Sequence, residues 1–161
     1  MVKNTIRYIT TGVHKMKIQI IENEDKAKTS TIKDDFLPIT LDGLAKIENA
    51  SCTDIRVGQI LDLASKRELL LDSIITKLRY GGSIFIEGLD LIALTDAITF
   101  GQFNNVEASQ LIYGDNRRSI SDFINMVNTL KNKGLNITIK RLDGIFFFVE
   151  AERQKPNGIK N

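Results

Sequence analysis

The chain has 161 residues, with 22 Lys and Arg against 20 Asp and Glu and 42% hydrophobic residues. That length suits a single domain that buries roughly 70% of the surface its unfolded chain exposes, and the composition points away from collagen-like, disordered and membrane-spanning chains. A net charge of +2 with both signs interspersed gives no field to gather nucleic acid or an anionic membrane.

One cysteine, Cys52, excludes an internal disulfide. Together with a single histidine, His14, it also excludes the usual Cys/His zinc cages, so no metal is expected. No run of about 18 apolar residues occurs. The first fifteen residues are basic and polar, without the apolar stretch of a secretory signal. The expected location is therefore the cytoplasm.

Residues 1–15 read as an extension ahead of the domain, with an added edge strand over 5–10 as the competing reading. The domain proper spans 16–153, and 154–161, with Pro156 and Gly158, reads as a flexible tail. The apolar run 17–21 predicts a strand and the charged stretch 22–30 a loop. Residues 31–39 read as extended and turn-like, because Pro38 biases Leu37 away from helix. Leu41, Leu44, Ala45 and Ile47 suit one or two helical turns. A strand over 53–57 follows, ended by Gly58.

Residues 66–80 carry the clearest helical spacing, with Leu69, Leu70, Ser73, Ile74, Lys77 and Leu78 at i, i+3, i+4 positions. Ser65 with Glu68 three residues on suggests a capping box, and Gly81-Gly82 the helix end. The strand 83–87 follows, with Ile84, Phe85 and Ile86. Strand, helix and strand in this order make a βαβ crossover, hence a parallel sheet with a right-handed connection.

Residues 90–100 predict a helix with Leu91, Leu94, Ala97 and Ile98 on one face and Asp90 as its cap. A short helix is expected over 104–112 and a polar loop over 113–118. Residues 119–133 predict another helix, with Ile120, Phe123, Ile124, Val127 and Leu130 on one side, Ser119 or Ser121 as cap and Gly134 just past its end. Strands over 135–141 and 145–151, joined through Leu142-Asp143-Gly144, carry a hairpin signal. The fold expected is α/β: a mainly parallel sheet that finishes in a C-terminal antiparallel hairpin.

The phrase Lys77-Leu78-Arg79-Tyr80-Gly81-Gly82 before an apolar strand, the acids Glu87 and Asp90 after it, and the stretch Ile55 to Leu63 with Asp62 at an acidic position resemble the C-terminal half of class I S-adenosylmethionine-dependent methyltransferases. The Leu111-Ile112-Tyr113-Gly114-Asp115 loop resembles one in small proteins of that kind from bacteria and tailed phages. The resemblance covers about residues 17–153 and implies a reduced Rossmann-like methyltransferase fold. It also implies S-adenosylmethionine as cofactor, with methyl transfer by in-line displacement governed by positioning of the reactants. Methyltransferases of this class carry glycines after the first strand, where the backbone approaches the methionine part of the cofactor, and an acid at the end of the second strand for the ribose. Here Glu22-Asn23-Glu24-Asp25-Lys26 follows the first strand, and no glycine stands between Val13 and Gly43. The first βα unit therefore reads as lost or reduced. The alternative function is a non-catalytic relative acting as scaffold, subunit or viral accessory protein.

In open α/β sheets ligands sit beyond the carboxyl ends of the strands. That rule gathers Asn23, Gly58 and Glu87 as cofactor-binding candidates, and Asp62 and Asp90 as candidates for a base or for orienting a substrate hydroxyl. The competing reading of both aspartates is helix-terminal capping. Tyr113, Arg117 and Arg118 are candidates for clamping an anionic substrate, against a plain solvated loop. In the last strand Phe146 and Phe148 face one way and Phe147 the other. If the reduced first unit leaves the sheet without helices on one side, an open apolar face there would seek a partner, either a second copy or another protein.

Overall fold

The computed structural model describes residues 15–23 and 32–156. The expected N-terminal extension, apart from Lys15, lies outside the described residues, as do most of the 22–30 loop and residues 157–161 of the tail. A six-stranded sheet has the order β2-β1-β3-β4-β6-β5. Its strands are β1 (Met16–Ile21), β2 (Leu37–Thr40), β3 (Cys52–Gly58), β4 (Leu78–Leu89), β5 (Leu135–Asp143) and β6 (Phe146–Arg153). β2, β1, β3 and β4 run parallel, and β6 runs antiparallel between β4 and β5. The chain steps outward from β1 to β2 and then back across to β3, so the strand order reverses between β1 and β3.

The run that reads as turn-like in the sequence contains β2. Pro38 is tolerated because β2 is an edge strand, where a missing N–H costs no ladder bond. The second strand is thus present, though only four residues long. The Thr40 hydroxyl accepts from the Gly43 amide at 3.3 Å and starts α1 (Leu41–Leu44).

A 3₁₀ turn (Ile60–Leu63) and α2 (Arg67–Lys77) connect β3 to β4. α2 ends earlier than its spacing suggests, and β4 begins at once with Leu78. Cys52 pairs with Leu78 but Asp54 pairs with Ser83, so one residue of β3 opposes four of β4 and the glycines form a bulge rather than a helix stop. Gly81 takes φ +75°, and a Cβ at Gly82 would come within 2.8 Å of the Thr53 carbonyl oxygen. Arg153 holds the bulge: its guanidinium donates to the carbonyls of Ile75 and Leu78 and lies 4.7 Å from the Tyr80 ring centre. No side chain caps α2, so the expected Ser65 box is absent. The buried face is Leu71, Ile74 and Ile75, whereas Leu69 is exposed.

After β4 come α3 (Leu91–Thr99), α4 (Asn105–Tyr113), a 3₁₀ turn (Gly114–Asn116) and α5 (Phe123–Asn132). α4 carries a full capping box between Asn104 and Glu107. α5 starts four residues later than the sequence suggests, and Asp122 caps it instead of Ser119 or Ser121. Residues 119–121 are drawn off into extended backbone, where Leu91 donates to the Ser121 carbonyl. In the hairpin Asp143 pairs with Phe146, leaving a two-residue loop, Gly144-Ile145, with Gly144 at φ +58°.

One apolar core lies on a single face of the sheet. Ile18, Ile20, Ile55, Val57, Ile84, Ile86, Phe147 and Val149 pack there under Leu44, Leu71, Ile74, Met126 and Leu130. Alternation sends Gln19, Arg56, Phe85, Glu87, Phe148 and Glu150 to the opposite face, where they are half-buried. This second face is amphipathic rather than apolar.

Candidate functional site

The opposite face holds a concavity of about 390 Å³. Strands supply its lining, Gly58, Glu87, Arg56, Arg141, Phe148 and Glu150 among them, with Lys33 from the approach to β2. Rings and cations alternate across it. The Arg56 guanidinium lies 5.5 Å from the Phe85 ring centre and 5.9 Å from that of Phe36, and that of Arg141 lies 4.8 Å from the centre of Phe148. Such contacts hold a cation over the ring's negative face. Gly58 stands at φ +56°, and a Cβ added there would meet nothing within 4 Å, so it forms a notch in the wall.

Behind that notch lies a buried polar cluster. Gln59 donates from Nε2 to Glu87 Oε1 at 3.2 Å and accepts from Arg117 Nη2 at 3.0 Å. Arg117 also donates to the Leu111 carbonyl, and its Nε lies 3.6 Å from Asp62 Oδ2. Arg67 approaches the other oxygen of Asp62 at 3.9 Å. Burial pushes the Asp62 carboxyl above its ordinary range, and Arg67, the Leu89 amide and Arg117 pull it back only in part. The backbone carbonyl of Asp62 accepts from the amides of Arg118 and Ser119, at 2.7 and 3.0 Å. Asp62 therefore anchors the 117–119 segment with both its charge and its backbone.

Asp90 stands apart from this cluster. Its Oδ1 accepts from the Ala93 amide at 2.7 Å and its Oδ2 from the Phe123 amide at 2.6 Å. One buried carboxylate thus serves the first turns of both α3 and α5, each of which begins with unpaired N–H groups.

Of the residues singled out in the sequence, Gly58 and Glu87 line the same concavity, and Asp62 and Arg117 meet behind it. Asp90 sits at the junction of two helices. Tyr113, at the end of α4, and Arg118 are exposed and do not join Arg117 in a clamp. Asn23 lies two residues beyond β1. Sequence reasoning missed Asp42. Ile21 pairs with Thr40, so Asp42 follows β2 at the level where Asn23 follows β1. The signal was an acid just after an extended run, and Pro38 obscured the run. Arg56 and Arg141 were missed as well, because only the register aligns them with Phe85 and Phe148.

Among the described residues no helix is long and apolar enough to cross a membrane. No sequence model of a known family matches the chain, and no curated protein matches it. The structure does match solved ones. A chain from the complex between the Haloferax volcanii Trm112 methyltransferase activator and a methyltransferase superposes with TM-score 0.60 at 8% identity, over 90% of this chain and 74% of that one. A SAM-dependent methyltransferase of Thermotoga maritima gives TM-score 0.58 at 10% identity, over 86% and 73%. Another from Archaeoglobus fulgidus gives 0.57 at 12%, over 84% and 75%. The chain has the fold of the class I S-adenosylmethionine-dependent methyltransferases.

Proposed function

We propose that this chain is a non-catalytic form of the methyltransferase fold, serving as a scaffold or subunit. The observation that carries this reading is the use made of its rim carboxylates. Asp90 is taken up by two backbone amides, and Asp62 is buried against two arginines. A general base needs a carboxylate within reach of its substrate proton, and neither group offers one. The sequence after β1 points the same way. Glu22-Asn23-Glu24-Asp25 follow that strand in the sequence, and no glycine stands between Val13 and Gly43 to allow the close backbone approach that the class makes there. A first turn without glycine is a poor match in sequence to the methionine half of S-adenosylmethionine.

One observation favours S-adenosylmethionine-dependent methyl transfer as a second reading. Asp42 follows β2 with an exposed side chain, where an acid can accept from ribose hydroxyls. Titration of S-adenosylmethionine and S-adenosylhomocysteine, followed by calorimetry and thermal melting, separates the two. A ligand at 100 times its dissociation constant adds about 2.7 kcal/mol, a shift of roughly 5–10 °C for a domain of this size. The scaffold reading expects no heat and no shift at millimolar ligand. Saturable binding that Asp42→Ala abolishes would overturn it.

A further inference from the structure

We infer that the concavity on the amphipathic sheet face binds a single nucleotide, with the phosphate at its Lys33–Arg56 end and the base against Phe148 beside Glu150. The site lies on the face of the sheet, at mid-strand for Gln19, Arg56 and Phe85, and not beyond the strand ends. Three cations, Lys33, Arg56 and Arg141, and two acids, Glu87 and Glu150, line it. Arg56 and Glu150 are half-buried, yet among the described residues the side chains of Lys33, Arg56, Arg141 and Glu150 form no ion pair and no hydrogen bond. Charges drawn out of water without a partner cost free energy. A ligand that brings both an anion and hydrogen-bond donors recovers it. The strand register separates the two kinds of charge. Arg56 on β3 pairs with Phe85 on β4, and Phe85 with Glu150 on β6. Cation and acid thus stand two strand spacings, about 10 Å, apart with a ring between them. Lys33 lies at the Arg56 end, because its backbone amide donates to Gln19 Oε1 at 3.3 Å and Gln19 is the register partner of Arg56. Phe85 and Phe36 hold the Arg56 guanidinium from 5.5 and 5.9 Å, and its N–H groups meet no acceptor among the described residues, so they suit a phosphate gripped by two parallel bonds. At the other end Phe148 pairs with Glu87 and with Arg141, whose guanidinium lies over its ring. Nucleobases stack on rings and guanidinium planes alike. An ionised Glu150 can only accept, so it suits a base that carries an amino group. The occupant is one nucleotide rather than a strand. In the next row of the face one cation, Lys17, stands against two acids, Asp54 and Glu152, and these acids repel the successive phosphates of a polynucleotide. The volume of about 390 Å³ lies within the roughly 300–1,000 Å³ of small-molecule pockets.

The test titrates CMP, UMP and cytidine into the full chain, followed by calorimetry and by backbone amide shifts, with circular dichroism as a check on folding. CMP should saturate one site with a dissociation constant below about 1 mM, and the shifts should centre on Arg56, Phe85, Phe148 and Glu150. UMP, which lacks the amino group, and cytidine, which lacks the phosphate, should each bind about tenfold more weakly, as befits the loss of a hydrogen bond to a charged group. Arg56→Ala should lower CMP affinity about tenfold and keep the preference for CMP over UMP, whereas Glu150→Ala should erase that preference. Lys33 is exposed, so Lys33→Ala carries the phosphate arm if Arg56→Ala does not fold, and it should weaken CMP at least about threefold. No saturable CMP binding, equal affinity for CMP and UMP, or shifts confined to residues beyond the ends of β1 and β2 would each overturn the inference. So would a folded Arg56→Ala or Lys33→Ala variant that binds CMP as wild type does.

Discussion

Replacing Asp90 by alanine should be among the most damaging single changes in this chain. The carboxylate is 3% exposed and accepts from Ala93 at 2.7 Å and from Phe123 at 2.6 Å. Loss of an N-cap acceptor costs about 1 kcal/mol and up to ~2 in proteins, and hydrogen bonds to charged groups contribute about 1.5–3 kcal/mol. Two caps lost together therefore amount to roughly 2–4 kcal/mol. Against a total stability of about 5–15 kcal/mol, that is a large fraction. Asp90→Asn separates the two bonds. Its amide oxygen can serve one helix, but its NH₂ group must then face the other amide, so about half of the loss should remain. Urea titration followed by circular dichroism measures both variants. With a slope near 2 kcal/mol/M, Asp90→Ala should move the midpoint down by ~1–2 M at unchanged slope. Native-state hydrogen exchange should show the amides of Ala93 and Phe123 losing protection in the alanine variant. An alanine variant within about 1 kcal/mol of wild type, or an asparagine variant equal to it, would refute the double-cap account.

Two further outcomes rest on packing and on burial. A Cβ at Gly88 would fall 2.6 and 2.8 Å from two atoms of the Phe147 ring, directly across from it in the β4–β6 ladder. Phe147 is fully buried, so Gly88→Ala should cost about 2–3 kcal/mol by overpacking. Combining it with Phe147→Leu should recover about 1 kcal/mol of that cost in a double-mutant cycle, and strict additivity would count against the clash. At Asp62, burial holds the folded-state carboxyl above its unfolded value despite Arg67, the Leu89 amide and Arg117. Between those two values the fold keeps a proton that the unfolded chain has released. Stability from this group therefore falls as pH rises through that window. Stability curves of wild type and Asp62→Asn across the acid range should diverge in asparagine's favour with rising pH, and a flat or opposite difference would remove the basis for this reading.

Some of this protein could be read from its residues in order. Period-two and helical spacing located most elements, because burial of one face is imprinted locally. Asp90 could be placed as a helix cap from its position ahead of Leu91, Leu94 and Ala97. The α/β class and closing hairpin followed from strand–helix–strand order and Asp143-Gly144. Four features depended on residues far apart in the chain. β2 counts as a strand only because β1 lies beside it. The glycines at 81 and 82 form a bulge because Arg153, over 70 positions on, occupies the carbonyls at the end of α2. The second helix served by Asp90 begins 33 residues later. The amphipathic face takes its pattern from five strands in register, since Arg56, Phe85 and Glu150 acquire a common row only when the ladder aligns them. Periodicity reports which way a side chain points from its own backbone. What it points at is set by strand pairing, and that is a property of the folded sheet.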